Sequence, residues 1–321
     1  MKMTRGEAQR LLGVSRRVRW SYPTSQGRPV KWEGAERMEK MADERGSFTK
    51  AVAFLLRNGQ EELATEMAAN LWRLWALARD YGGGKKFLAP VVENRASKAT
   101  RARALVLYGD SLFAFRLGNF PESKKASEAA LRVAKSVGDR EALALANIAV
   151  GRIFFEAGDY RGSLGRSRDA RRLARGLGPE YQQAPLFLEA SSRRMLGDYE
   201  EAASLFRQSV ELNRRLEDRR MVMAELNNLS FVEIHNDRAD TAEKAFDESE
   251  RMAPTPSDDF YGQGMILLFR GMVAYRRSDI QGARSLLSRS SANFKRSGVQ
   301  PGNDDKSEID WLARSLKGAG R

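Results

Sequence analysis

Apolar residues recur along this chain at the i, i+3, i+4 spacing of a helix with one buried stripe, and short polar turns interrupt them at regular distances. Between Pro185 and Leu212 the stripe runs Leu186, Phe187, Ala190 and Met195, breaks at Gly197-Asp198-Tyr199, and resumes at Ala202, Ala203, Leu205, Phe206 and Val210. The break carries its own punctuation. Glycine ends the first helix in the left-handed conformation, Asp198 caps the next, and Glu200-Glu201 suit that helix's N-terminal dipole. The same phrase stands at Gly118-Asn119-Phe120 and Gly158-Asp159-Tyr160, and in eroded form at Asn236-Asp237-Arg238 and Ser278-Asp279-Ile280. Its starts, at 118, 158, 197, 236 and 278, lie 39 to 42 residues apart. A period of that size predicts a solenoid of helical hairpins, which presents surfaces and seldom gathers polar groups around one reacting atom. Small residues mark where helices should cross closely: Ser111, Gly151, Ala190 and Gly271 seven before the turn, Ser123, Ser163, Ala202 and Ala283 five after it.

Ala190, Gly197-Asp198-Tyr199, Ala202 and Phe206 together resemble the tetratricopeptide-repeat (TPR) pattern. Its usual period of about 34 is lengthened here by residues at Lys135–Leu143 and Leu177–Ala184. Leu226-Asn227-Asn228-Leu229 resembles the Asn-Asn-Leu opening of kinesin-light-chain-type repeats. The segment Ala35–Glu93 runs through Ala51–Leu56, Asn58-Gly59, Leu71-Trp72-Arg73-Leu74-Trp75 and Phe87-Leu88. It is similar to the segment opening the repeat arrays of bacterial LuxR/AfsR-type signalling ATPases, in which the array is the sensor arm. The resemblance spans about residues 35–315, and no ATPase module accompanies it. It implies an all-α, right-handed α-solenoid of about six TPR-like helical hairpins. Their turns fall near Arg57–Gln60 or Asp80–Gly84, then at Gly118, Gly158, Gly197, Asn236 and Ser278. The expected organisation is an N-terminal helix and loop over 1–34 and the array over 35–321. Pro254 and Pro256 place a loop or hinge at 252–259, and a polar capping helix is expected near 306–316.

Glu7–Ser15 resembles the first helix and turn of a DNA-binding helix-turn-helix, as in excisionase-type regulators. A recognition helix must fill the major groove, and Ser15–Trp20 is short before Pro23, Gly27 and Pro29. A capping helix followed by a loop anchored on Trp20, Tyr22 and Trp32 is the main expectation, with DNA reading as the alternative.

The 321 residues contain no cysteine, which removes disulfides, thiolate nucleophiles and thiolate metal sites. Apolar runs such as Ala51–Leu56 and Met265–Phe269 fall far short of the roughly 18–20 residues of a membrane span. No apolar segment follows the basic N-terminus, so a cytoplasmic location and no membrane partner are expected. Lys and Arg number 55 against 42 Asp and Glu, for a net charge of +13. That excess draws proteins to nucleic acid, but the carboxylates are interleaved, as at Glu217-Asp218-Arg219-Arg220, which favours solvated helix faces.

Candidate chemistry is thin. Tyr81-Gly82-Gly83-Gly84-Lys85-Lys86 departs from a phosphate loop by Arg79 at the first glycine and Lys86 at the magnesium hydroxyl, and reads as an inter-helix turn. His235 is the single histidine, so a metal site or a histidine relay lacks its parts, and its place at a helix end suggests C-terminal capping. Trp72 and Trp75, beside Leu71 and Leu74, read as core. No catalytic residue, metal or cofactor is expected. The TPR resemblance implies that the first helix of each hairpin lines a concave groove. Counting back from the turns places Tyr108, Phe115, Arg116, Arg152, Phe155, Glu156, Phe187, Arg194, Tyr275 and Arg276 on that wall. There Arg116, Arg152, Arg194 and Arg276 would pair with acidic groups and the aromatics would supply buried area. Asn147, Asn227 and Asn228 would hold a peptide backbone. The expected function is a non-catalytic scaffold for a protein or peptide partner in bacterial signalling or transcriptional regulation. The alternative is a DNA- or RNA-binding regulator, and the oligomeric state is left open.

Overall fold

The protein is seen in a computed structural model that describes residues 3–17, 24–25, 28–29, 41, 43–94, 98–252 and 255–319. Among the described residues are fifteen helices: α1 (Arg5–Arg16), α2 (Arg45–Arg57), α3 (Glu61–Leu77), α4 (Tyr81–Glu93), α5 (Arg101–Arg116), α6 (Phe120–Val137), α7 (Arg140–Glu156), α8 (Tyr160–Ala174), α9 (Glu180–Leu196), α10 (Tyr199–Arg215), α11 (Arg219–His235), α12 (Ala239–Met252), α13 (Phe260–Arg276), α14 (Ile280–Ser297) and α15 (Asn303–Gly318). One two-residue antiparallel pair, Thr24–Ser25 with Arg28–Pro29, is the sole strand pairing among them.

Local chemistry sets the helix starts. Asp80, Asn119, Asp139, Asp218, Asp259 and Asp279 each accept the backbone N–H three residues on, a cap that contributes about 1 kcal/mol apiece. Asp198 departs from its expected role. It occupies the N-cap position of α10 without a side-chain cap bond, and its carboxylate is taken by Arg193.

The turns are more regular than their sequence. Left-handed residues join six consecutive helix pairs at Arg79, Gly118, Gly158, Gly197, Asp237 and Ser278. The fifth turn is therefore one residue later than Asn236. With that shift Ser230 and Ala242, both fully buried, fall seven before and five after the turn, so this hairpin has the small residues of the others. Both segments expected for the first turn join helices through a left-handed residue, Gly59 between α2 and α3 and Arg79 between α3 and α4. Gly82, Gly83 and Gly84 lie inside the first turn of α4, not in a connecting loop as their composition suggested. Gly84 takes the small-residue position of its hairpin: a Cβ there would come within 2.5 Å of the Phe113 ring. Phe113 is fully buried and cannot yield easily, so Gly84→Ala should cost about 1–3 kcal/mol in urea unfolding.

The chain divides into two compact units, Met1–Ala157 with Gly165–Pro185, and Gly158–Leu164 with Leu186–Arg321. The core of the first gathers Phe48, Leu71, Phe87, Leu88 and Val106 from α2 to α5. Between α5 and α6, Ser111 and Ser123 each donate a hydroxyl to the other's carbonyl, at 3.1 and 2.9 Å, in a fully buried contact. The core of the second unit holds Phe231, Ile234, Phe246, Phe269 and Met272, closed at the end by Leu312 and Leu316 of α15. That helix covers the segment expected to cap the array.

α1 lays Ala8, Leu11, Leu12 and Ser15 against α2 and α3. Gly13-Val14-Ser15 is continuous helix, so the turn of the helix-turn-helix resemblance is not formed there. Trp20, Tyr22, Trp32, Pro254 and the 34/35 boundary lie outside the described residues.

Candidate functional site

In the first unit, α3, α5 and α7 turn one residue after another toward a shared cavity of about 270 Å³, closed by the start of α9. Its walls include Trp72, Arg73, Tyr108, Leu112, Ile148 and Tyr181. Trp72 meets Tyr108 edge-on at 5.3 Å, and the Arg73 guanidinium lies over the Trp72 ring at 4.6 Å. Trp75, by contrast, stacks on Phe87 at 4.0 Å within the core. Trp72 is thus both core and cavity wall. Tyr181 donates its hydroxyl to Glu141 at 2.7 Å, and Arg73 and Arg101 approach the same carboxylate. Burial alone would raise Glu141, but Tyr181, Arg101 and Arg73 outweigh it and hold the carboxyl below its usual range. Burial pushes the Tyr181 phenol up, keeping it a donor. The volume lies below the roughly 300–1,000 Å³ of small-molecule sites. It suits an anchor side chain of a bound segment.

In the second unit α15 runs against α13 and α14 and sends its other face to α9 and α11. Arg194 donates to Glu308 Oε1 at 3.0 and 2.7 Å and to Asn228 Oδ1 at 2.8 Å. His235 Nε2 meets Glu308 Oε2 at 2.6 Å, and its ring stacks on Tyr199 at 4.2 Å. Trp311 stands edge-on to His235 and Tyr275, under the Arg276 guanidinium at 5.0 Å. Tyr261 donates to Asp305 at 2.5 Å. The Arg194, His235 and Glu308 side chains are about 5% exposed or less. Burial would raise the Glu308 carboxyl, yet Arg194 and His235 together hold it below its usual range.

Arg194, Tyr275 and Arg276 meet Glu308 and Trp311 of α15, a helix of the same chain, and Asn228 accepts from Arg194. Arg194 is therefore not free to meet a partner's acid in this state. His235 does not act as a simple helix cap: its ring is a groove-floor group bound to Glu308. Phe187 packs edge-on against Phe206 at 6.4 Å within its hairpin and is half-buried. Asn147 is buried with Nδ2 on the Leu143 carbonyl and Oδ1 accepting from Arg166, which leaves one N–H and one lone pair of its amide for a further partner. Asn228 is similarly engaged, with Nδ2 on the Ala224 carbonyl. Asn227 lines a second cavity, and its Oδ1 is buried without a hydrogen-bond partner. Tyr108 lines the first cavity, and Arg152 reaches its hydroxyl at 3.5 Å. Phe115 lies edge-on to Phe120 at 5.5 Å near the α5–α6 turn, with Arg116 exposed beside it. Phe155 and Glu156 are half-buried at the end of α7.

Sequence reasoning missed Arg73, Glu141, Tyr181, Glu308 and Trp311. The signal for the last two was present in the spacing of Asp305, Glu308 and Trp311, one face of an acidic helix. Lys85, in the glycine-rich segment, is held by Asp110 and Glu122 at 2.6 Å each, and Lys86 beside it is exposed. Among the described residues no cluster of three His, Asp or Glu side chains suits a metal ion, and no helix is long and apolar enough to cross a membrane.

No protein-family model matches the chain, and no curated protein matches it. Solved structures do. A Rap protein complexed with competence and sporulation factor superposes with a TM-score of 0.54 at 13% identity, covering 87% of this chain and 80% of that one. BtubC from P. vanneervenii gives 0.53 at 14% identity, over 67% of this chain and 90% of that one. A signal-transduction ATPase with a tetratricopeptide repeat sensor, from Pyrococcus horikoshii, gives 0.54 at 15% identity over 88% of this chain, which spans 45% of that protein. At such identities what is shared is the fold, and the chain has the fold of a tetratricopeptide-repeat α-solenoid.

Proposed function

We propose that the chain is a non-catalytic scaffold that binds a protein or peptide segment, in bacterial signalling or transcriptional regulation. The cavity of the first unit carries this reading. Its walls combine two tyrosines, a tryptophan and an arginine, the residue types that dominate binding energy at protein interfaces. Its volume matches an anchoring side chain rather than a substrate. The Rap protein superposed above is complexed with competence and sporulation factor, which agrees with a ligand-binding role for this fold. The nucleic-acid alternative has only the net charge of +13 behind it, and many arginines are matched to carboxylates, such as Arg277 with Asp240 and Glu243.

Phage-displayed peptides selected on the full chain provide the test. Ala184 lies on the cavity wall and is half-buried, so Ala184→Trp should fill the space with little change in melting. Selected peptides should lose at least tenfold in affinity for Ala184→Trp. Equal binding to both proteins, or no enriched peptide, would reject the cavity as the site.

A further inference from the structure

The floor beneath α15 adds charged groups to the apolar packing of its unit, in which Leu312 is fully buried against the small crossover residue Gly271. The hairpins of this unit close on Ala190, Ala202, Ser230, Ala242 and Ala283, side chains that let backbones approach. Beneath α15 the chain also places Arg194, His235, Tyr261 and Arg276, which read charge and hydrogen bonds. α15 answers with Asp305, Glu308 and Trp311, three residues apart and so on one helix face. Burying charge in this way adds little stability over an apolar contact of the same volume, while either charge left without its partner is costly.

The hold of α15 on its site is also incomplete. A connector with left-handed Gly298 and exposed Val299 leads through Pro301 to Gly302 at the N-cap of the helix. Beside Asp304 and Asp305 a cavity of about 320 Å³ remains, lined by Asn227, Phe231 and Met265. The partnerless Asn227 Oδ1 marks a place for a hydrogen-bond donor that α15 does not supply.

We propose that this face of the second unit is a receptor surface for an acidic amphipathic helix bearing a carboxylate and, three residues on, an indole, and that α15 is its resident occupant. An external helix of that chemistry binds when α15 leaves. The inference rests on the scaffold reading and names the partner class of the second unit. A tethered occupant acts at an effective concentration on the order of millimolar, so the intact chain should bind external helices weakly.

The probe is a fluorescein-labelled synthetic peptide with the sequence of residues 301–319. The full chain carrying Trp311→Ala loosens α15 by removing its contacts with Arg276, Tyr275 and His235, and should bind the peptide at least tenfold more tightly than the unaltered chain. A peptide carrying Glu308→Gln should lose at least tenfold. Equal affinity of the two proteins for the peptide overturns the proposal. A second arm covers the case in which Trp311→Ala lowers helicity: a protease site inserted after Val299 in the full chain, cut after folding. Replacement of the cut α15 by the labelled peptide, at unchanged melting temperature, supports the proposal. Retention of α15 against excess peptide, or unfolding on cleavage, overturns it. Neither change touches the cavity of the first unit, so peptides selected there report on the scaffold reading independently.

Discussion

Glu308→Ala should destabilise the docking of α15 by about 3–5 kcal/mol, the cost of leaving a buried partner charge uncompensated. Arg194 would lose two hydrogen bonds and His235 one, all in a site closed to water. The cost is bounded by the docking free energy of α15 itself, because an undocked helix returns Arg194 to solvent. Amide exchange across Asn303–Gly318 should therefore accelerate before the rest of the second unit unfolds. If exchange there is unchanged, the Arg194–Glu308–His235 contact does not hold the helix. Acid should mimic the substitution. Glu308 has a folded pKa below its ordinary 4.5, so its contribution is complete above 4.5 and fades as pH falls from there through the folded value. A double change, Arg194→Leu with Glu308→Leu, should cost much less than the two single changes together, since it removes both charges.

Glu225 should make the second unit less stable as the solution becomes alkaline. It is fully buried between α10 and α11, Ser209 donates to its Oε1 at 2.6 Å, and Oε2 has no partner. Burial pushes its carboxyl up to about 8, only partly offset by Ser209. The folded protein therefore keeps a proton that the unfolded chain releases near 4.5. The sign follows: the contribution is full below pH 4.5 and is lost progressively as pH rises through about 8. The total is on the order of 3–5 kcal/mol. Chemical denaturation of the full chain between pH 5 and 8.5 should show this decline, and Glu225→Gln, which imitates the protonated acid, should flatten it. Parallel profiles for the two proteins would mean that Glu225 is charged, and hence hydrated, in the folded state.

The candidate sites were legible in part. Counting back from the turns led to Tyr108, which lines the first cavity, and to Arg194, Tyr275 and Arg276, which meet α15, because helical period and turn position decide which face a residue occupies. Arg73 escaped because its turn is marked by Arg79, a left-handed residue without the glycine that announces one. The same erosion hid Asp237 behind Asn236 and made a regular hairpin look irregular. Phe187, half-buried against Phe206, shows that a position on the first helix of a hairpin does not say how a side chain is shared between solvent and its own hairpin.

The helices, their six turns and the small residues at their crossings are determined by the sequence itself. Capping aspartates, left-handed glycines and apolar periodicity act within a few residues, and any chain carrying them folds locally in this way. What occupies the groove of the second unit was decided only in three dimensions. Arg194 and Glu308 stand 114 residues apart, and no local pattern couples them. Each alone reads as a charge on a solvated helix. Only the packing of α15 onto α13 and α14 takes both from water, and that turns a wall expected to await a partner into one already filled by its own chain.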